Sequence, residues 1–313
     1  MVFLDYAMRV PKLVRRSYAP PMHPTPCREV RASAPPLSPS LQALLKDSHW
    51  MRNTVGEAGA EVYRIRQADG RECYLKYSSG DEDVATALFE EAARMGWLRR
   101  HAAPLRPVLP ALQHFEQTSA TQAWLLSTAM PGRTAYQWLE DELSAEQQRT
   151  LVQSIAQQLR VLHQLPALAC PFNAGADLRL ALAGQRLAAG LVDAEDFDEA
   201  REGWTPEDVW QRLQALRPTL LSPEGCEHAD EGLVLTHGDY SLDNLLLDEQ
   251  GHITGLIDLG RLGLADRYQD LAILWNCLAE FGPGLQELMW ASYGIASPDS
   301  ARLEFHLCLD EMF

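Results

Sequence analysis

The chain is short of positive charge. Its 313 residues carry 27 Lys and Arg against 43 Asp and Glu, a formal net charge of −16. That balance argues against nucleic acid or an anionic membrane as a partner. It suits a cationic ligand, although an acidic surface also serves solubility alone. No stretch of about 18 or more apolar residues occurs, so no transmembrane helix is expected. No apolar core of about 7–15 residues follows the first basic residues, which makes a poor secretory signal. None of the six cysteines, Cys27, Cys73, Cys170, Cys226, Cys277 and Cys308, forms a close C-x-x-C pair. In a chain of this length they read as reduced, mostly buried thiols of a cytoplasmic protein.

Stable helix is excluded from most of the first 40 residues by Pro11, Pro20, Pro21, Pro24, Pro26, Pro35, Pro36 and Pro39. Over residues 1–36, six basic residues oppose Asp5 and Glu29, about +4 by that count. Residues 1–44 therefore read as a disordered, Pro-rich basic extension, with Met8 or Met22 as alternative starts. The remaining length leaves room for one large domain or two lobes.

The most informative stretch is His237-Gly238-Asp239-Tyr240-Ser241-Leu242-Asp243-Asn244, followed by Ile257-Asp258-Leu259-Gly260. An Asp and an Asn five apart match a kinase catalytic loop, where the Asp acts as base and the Asn holds magnesium. Between Asn244 and Asp258, Leu245-Leu246-Leu247 runs into a turn at Asp248–Gly251 and His252–Ile257 returns. Apolar runs about a Gly-containing turn predict paired strands. Asn244 and Asp258 sit nearly symmetrically about that turn. Opposed antiparallel residues lie about 4.5–5.5 Å apart, so one metal ion could touch both side chains. An amide and a carboxylate oxygen, with phosphate oxygens, make a set that Mg2+ accepts. The loop match alone is also ordinary turn chemistry. The added Asp at the far end of the hairpin makes chance a poorer explanation.

The wider sequence, Thr236 to Asn244 and then Leu256 through Leu278, with Tyr293-Gly294-Ile295 and a closing Leu309-Asp310-Glu311-Met312-Phe313, closely resembles the aminoglycoside 3'-phosphotransferases. These are the kanamycin and neomycin kinases of antibiotic-resistant bacteria. The resemblance covers roughly residues 45 to 313. It implies an α+β, protein-kinase-like fold of two lobes. Residues 45–129 would form a small antiparallel-sheet lobe that binds ATP. Residues 130–313 would form a mainly helical lobe with the catalytic and aminoglycoside-binding residues. Asp239 would be the base, Asn244 and Asp258 the Mg2+ ligands, and the active species a monomer or homodimer.

At the nucleotide end, Glu61–Ile65 and Cys73–Tyr77 alternate about an Asp69-Gly70 turn, a predicted hairpin. Before it, Val55–Ala60 contains Gly56 and Gly59, whose backbone could approach phosphate; a simple turn would look the same. Residues 83–99 have helical apolar spacing. The resemblance places Lys76 on the α- and β-phosphates and pairs it with Glu91, with Glu90 the nearest rival. Ala58 stands where the family often has Ser. Trp124–Gly132 matches the hinge, so backbone groups of Thr128, Ala129 and Met130 would meet the adenine edge.

At the other end, Ser144 and Gln147 form a capping-box pattern that opens an amphipathic helix over 144–165, in which His163 reads as structural. The acidic run Asp193–Glu199 could be a solvated face. The resemblance instead aligns Asp198 and Glu199, with Asp196 weaker, and Glu280, Asp310 and Glu311, as contacts to ammonium groups. Arg261 would lie near phosphate or substrate. Asn276 and Cys277 replace an Arg and an Asp of some relatives, and Met312 replaces a more usual Phe. Asp266, Arg267 and Asp270 read as a structural ion-pair set. The chain stops where the family's sequence stops, so Phe313 is expected to add a terminal carboxylate beside Asp310 and Glu311. The same catalytic loop also serves kinases of choline, homoserine or macrolides, and a nucleotide-binding module without transfer activity is the remaining alternative.

Overall fold

Alternating strands build the first half of the molecule. The computed structural model describes residues 29–54, 59–141, 143–167, 170–221 and 232–313. Strand β1 (Glu29–Arg31) is followed by helix α1 (Pro39–Leu44), β2 (His49–Asn53), β3 (Glu61–Arg66) and β4 (Glu72–Ser79). A long helix α2 (Glu82–His101) and strands β5 (Leu112–Ser119) and β6 (Gln122–Thr128) complete this half. The strands form one sheet in the order β1-β2-β3-β4-β6-β5, and every pairing is antiparallel. The alternation expected at 61–77 is the β3–β4 hairpin, with Lys76 opposite Val62. Tyr63, Ile65, Cys73, Leu75 and Trp124 bury on one face. Lys76 is on the other, where α2 packs Leu88, Ala92 and Met95.

The expected disorder through residue 44 is corrected by this sheet. Residues 1–28 lie outside the described residues, but residues 29–44 are folded. β1 pairs with β2, and Arg64 reaches Glu29 at 2.7 Å. The Trp124 indole donates to the Pro36 carbonyl at 2.9 Å. Pro39 occupies the first turn of α1, where a missing N–H costs nothing, and Ser38 accepts from the Leu41 N–H. Leu41 is fully buried against β3 and β4. Proline excludes a long helix, but not an edge strand followed by a capped six-residue helix.

The second half is mainly helical, as expected of an α+β chain. It opens with β7 (Arg133–Thr134), α3 (Ala135–Glu140) and α4 (Ala145–His163). Both reciprocal bonds of the capping box at Ser144 and Gln147 are made. After α5 (Ala176–Ala188) and α6 (Pro206–Leu221) come four short strands: β8 (Val234–Thr236), β9 (Leu245–Leu247), β10 (Ile253–Leu256) and β11 (Gly263–Ala265). β9 and β10 form the predicted hairpin, and β8 pairs with β11. Helices α7 (Tyr268–Ala279), α8 (Pro283–Tyr293) and α9 (Ser300–Asp310) close the chain. α7 is buried along most of its length, so the elements bearing function are assembled around it. Among the described residues, no helix is long and apolar enough to cross a membrane.

Leu41→Ala tests whether α1 is part of the folded unit. Loss of a fully buried leucine should cost about 2–5 kcal/mol, read as a lower midpoint in urea unfolding. An unchanged midpoint would return residues 29–44 to the status of a dispensable tail.

Candidate active site

The loop after β8 is held by one carboxylate. Asp270, in the first turn of α7, is fully buried. Its Oδ2 accepts from the His237 N–H at 2.7 Å, and its Oδ1 from the Gly238 N–H at 2.8 Å. His163 Nε2 also donates to Oδ2, at 3.0 Å, which leaves its Nδ1 to accept from the Tyr293 hydroxyl at 2.7 Å. A buried carboxylate is tolerated when donors surround it. Asp270 thus spends its two oxygens on the loop and on His163. Asp266 instead pairs with Arg302 at 2.6 Å. Gly238 turns at φ 86°, and a Cβ there would come within 2.2 Å of the Arg261 carbonyl oxygen. No larger residue fits.

The loop is tied to the hairpin behind it. His237 Nε2 donates to the Ile257 carbonyl at 3.0 Å, and its Nδ1 accepts from the Asp239 N–H at 3.3 Å. The Asn244 amide nitrogen donates to the Asp239 carbonyl at 3.0 Å, which leaves its oxygen available. Asn244 and Asp258 flank the β9–β10 hairpin, and the Ile257 N–H bonds to the Asn244 carbonyl at 3.0 Å. Asp258 has left-handed backbone angles, φ 60° and ψ 61°, which are uncommon outside Gly, Asn and Asp. Burial pushes the Asp239 carboxyl above the usual range, against the pull of Arg261 and His237.

Across the cleft, Lys76 Nζ lies 2.8 and 2.7 Å from the two oxygens of Glu91 and 3.0 Å from Asp258 Oδ1. Burial works against its charge, but Glu91 and Asp258 outweigh it and raise Lys76 above the ordinary lysine range. The same ammonium holds Asp258 below the usual carboxylate range. Glu90 points elsewhere, to Arg94 at 2.8 Å. The sequence has three lysines, Lys12, Lys46 and Lys76, a scarcity that by itself singles out Lys76 within the sheet.

Gly59 borders the loop, at φ 73°, while the expected contacts at 55–58 lie outside the described residues. At the hinge, the Thr128 N–H bonds to Ala111 and the Ala129 N–H to Glu72. Those two donors are therefore spent within the sheet. Met130 N–H has no partner among the described residues. Tyr74 lies two residues before Lys76 in β4 and so on the same face of the sheet.

The acidic residues separate by exposure. Glu199 and Glu280 are exposed, and Tyr136 donates to Glu280 at 3.0 Å. Asp310 is partly open and lies 3.4 Å from Arg179. Asp198 is partly open too, and the Asn276 amide donates to both its oxygens at 3.0 and 2.9 Å. Glu311 is turned inward, with a side chain 7% exposed and Arg201 at 3.0 Å. The charges of Asp310, Asp258 and Arg261 all act on Asp239, which places these groups around one point. Burial pushes the Cys277 thiol up to about 12, so it is no nucleophile. The Phe313 ring lies under Arg179, Arg186 and Arg261, at 4.6, 5.8 and 5.9 Å from its centroid. Arg186 also donates to the Phe313 carbonyl at 3.2 Å. That carbonyl oxygen is therefore already met by an arginine of the chain.

Among the described residues, no three His, Cys, Asp or Glu side chains converge as a metal cage. Mg2+ needs none, since it binds through one or two protein oxygens, substrate phosphates and water. The free Asn244 oxygen and the Asp258 carboxylate fit that set.

Residues 52–306 match the model of a phosphotransferase enzyme family. An aminoglycoside 3'-phosphotransferase of Escherichia coli is 45% identical over 91% of this chain and 98% of its own. The crystal structure of an aminoglycoside-3'-phosphotransferase of type VIII superposes with a TM-score of 0.73 at 33% identity, over 88% of this chain and 97% of its own. An aminoglycoside phosphotransferase from Streptomyces rimosus, in complex with ADP and streptomycin, gives 0.68 at 30% identity, over 87% and 97%.

Asp270→Asn would set an amide N–H against a backbone donor of His237 or Gly238. Loss of a buried, charge-assisted acceptor should cost about 1.5–3 kcal/mol. Chemical denaturation measures it, and wild-type stability would mean that Asp270 does not hold the loop.

Proposed function

The chain belongs to the phosphotransferase enzyme family that includes the aminoglycoside 3'-phosphotransferases, and we propose that it transfers the γ-phosphoryl group of ATP to the 3'-hydroxyl of aminoglycoside antibiotics. The observation that carries this is the meeting, around Asp239, of a clamped loop, the Asn244–Asp258 hairpin, the Lys76–Glu91 pair and a partly open acidic rim.

Each residue has a task. Met130 N–H and the Tyr74 ring receive the adenine. Glu91 fixes the Lys76 ammonium, which steadies the α- and β-phosphates. Asn244 and Asp258 hold Mg2+, which when bound neutralises charge on the phosphates. Asp239 orients the acceptor hydroxyl and takes its proton. Its burial strengthens it as a base, because a raised pKa favours the protonated product of that transfer. Arg261 stands beside it to offset developing charge. Asp198, Glu199, Glu280 and Asp310 face a ligand that is polycationic and nearly devoid of apolar surface, for which charge-assisted hydrogen bonds supply the affinity. The added phosphate spoils the drug's fit to ribosomal RNA, so the cellular role is resistance. A nucleotide-binding module without transfer activity would not need Asp239, Asn244, Asp258 and Lys76 together.

The test is ATP consumption with mass spectrometry of the products. Kanamycin should be phosphorylated, while tobramycin, which lacks the 3'-hydroxyl, choline and a macrolide should not. Efficient turnover of tobramycin would contradict the regiochemistry. Asp239→Ala should lower kcat by about 10²–10⁴ while ATP binding stays near wild type. A kcat close to normal would remove Asp239 from the mechanism.

In the wild-type enzyme, kcat/KM should fall as pH drops through the folded pKa of Asp239. Burial raises that pKa, so the acid limb lies above the ordinary aspartate value. An acid limb at that ordinary value would exclude Asp239 as the titrating base.

A further inference from the structure

Helix α2 belongs to the first half by sequence and is bonded to the second. Glu91, Arg94 and Trp97 recur every three residues and share one side of the helix. Arg94 Nε donates to the Leu262 carbonyl at 2.9 Å. Its guanidinium lies over the Phe172 ring, 5.1 Å from the centroid, and Trp97 meets that ring edge-on at 6.0 Å. The Phe172 carbonyl in turn accepts from the Leu264 N–H of β11 at 2.8 Å. One turn earlier in α2, a Cβ on Gly260 would stand 3.8 Å from the Glu91 Cβ, an ordinary packing contact. Burial opposes the charge of Glu91, while Lys76 and the Leu259 N–H support it. Leu259 to Leu262 make one tight turn, closed by the Leu262 N–H on the Leu259 carbonyl at 3.2 Å. That turn begins at Asp258 and sets the Arg261 carbonyl against Gly238. The Arg94 side chain is 13% exposed, and its ion-pair partner Glu90 is half-exposed.

We infer that Arg94 is a positioning residue for phosphoryl transfer: its bond to Leu262 fixes α2 on the turn that follows Asp258. Glu91, and through it Lys76, is thereby held at its spacing from Asp258 before any nucleotide arrives. This rests on the proposed phosphotransfer reading and deepens it. In kinases the Lys–Glu pair must be in place for activity, and control of the helix that bears the glutamate is a means of switching. Here the chain's own side chains bond that helix to the catalytic half, so the pair needs no activating partner. The effect belongs to one donor. A charge-assisted bond from a shielded guanidinium to a carbonyl is strong. The pair with Glu90, four residues away on an open face, contributes little.

The test is kcat/KM for ATP, with kanamycin as acceptor, in the full chain and in Arg94→Met, Arg94→Gln and Glu90→Gln. Methionine keeps the bulk and loses the donor, so kcat/KM should fall about tenfold, as expected for one charge-assisted bond. Glutamine sets an amide N–H as many bonds from Cβ as Nε, and should stay within about threefold of wild type. Glu90→Gln breaks only the open ion pair and should stay within about twofold. In a Glu91→Gln background, Arg94→Met should cost less than about a further twofold, because its effect runs through Glu91. An equal loss in both backgrounds, or a glutamine variant as slow as the methionine one, would make Arg94 a packing residue only and overturn the inference. Hydrogen exchange on wild type needs no variant. The amides of residues 91–98 and of Leu259 should be protected without nucleotide and equally so with ADP and Mg2+. Protection gained only with ADP would also overturn the inference. Wild type that neither binds ATP nor phosphorylates kanamycin would overturn the phosphotransfer reading, while exchange without nucleotide would still show whether α2 is fixed.

Discussion

A buried carboxylate that accepts backbone donors sets the geometry of the loop carrying Asp239. Asp270 accepts two backbone N–H groups from the loop that precedes Asp239 and a third donor from His163 of α4, which the Tyr293 hydroxyl of α8 bonds in turn. The loop, α4 and α7 are far apart in sequence, so this turn depends on the packing of α4 against α7. His237 carries the constraint onward to the Ile257 carbonyl, one residue before Asp258. Asp239 and Asp258 are thereby placed by packing remote from either.

The two ends of the cleft are built on different principles. At one end, ionic groups satisfy one another: Lys76 meets the buried Glu91 through a shielded pair and Asp258 through a more open one. At the substrate end, arginines sit behind and acids in front. Arg179, Arg186 and Arg261 surround the Phe313 ring, and Arg201 backs Asp198 and Glu311. Arg179 and Arg201 also reach the partly open Asp310 and Asp198, while Glu199 and Glu280 stay exposed with no arginine against them among the described residues. The net charge of −16 is thus locally organised rather than only a means of solubility.

Much of this was legible in the sequence where the signal is local. Turn chemistry and alternation gave the β3–β4 and β9–β10 hairpins, and the capping box marked the start of α4. Spacing across a hairpin brought Asn244 and Asp258 to one place. Long-range partnerships were hidden. Asp270 reads as one more charge in an Asp-Arg-Tyr-Gln-Asp string, and only the fold shows backbone donors 32 and 33 residues away in sequence. The prolines before residue 40 were read as disorder because composition cannot show that Leu41 has a cavity to fill. Glu311 and Asp310 are adjacent in sequence but differ in exposure, Asp310 being partly open and Glu311 enclosed beside Arg201.

Position 258 meets two independent demands. Its left-handed backbone admits Gly, Asn and Asp with least strain. A charged oxygen at the cleft admits Asp or Glu. The two sets overlap in aspartate alone. Asparagine would keep the turn and forfeit the charge, and glutamate would keep the charge and strain the turn. Mutational drift at this site therefore has no neutral neighbour to pass through, and a lineage that loses Asp258 has no single-step route to an equivalent residue other than reversion.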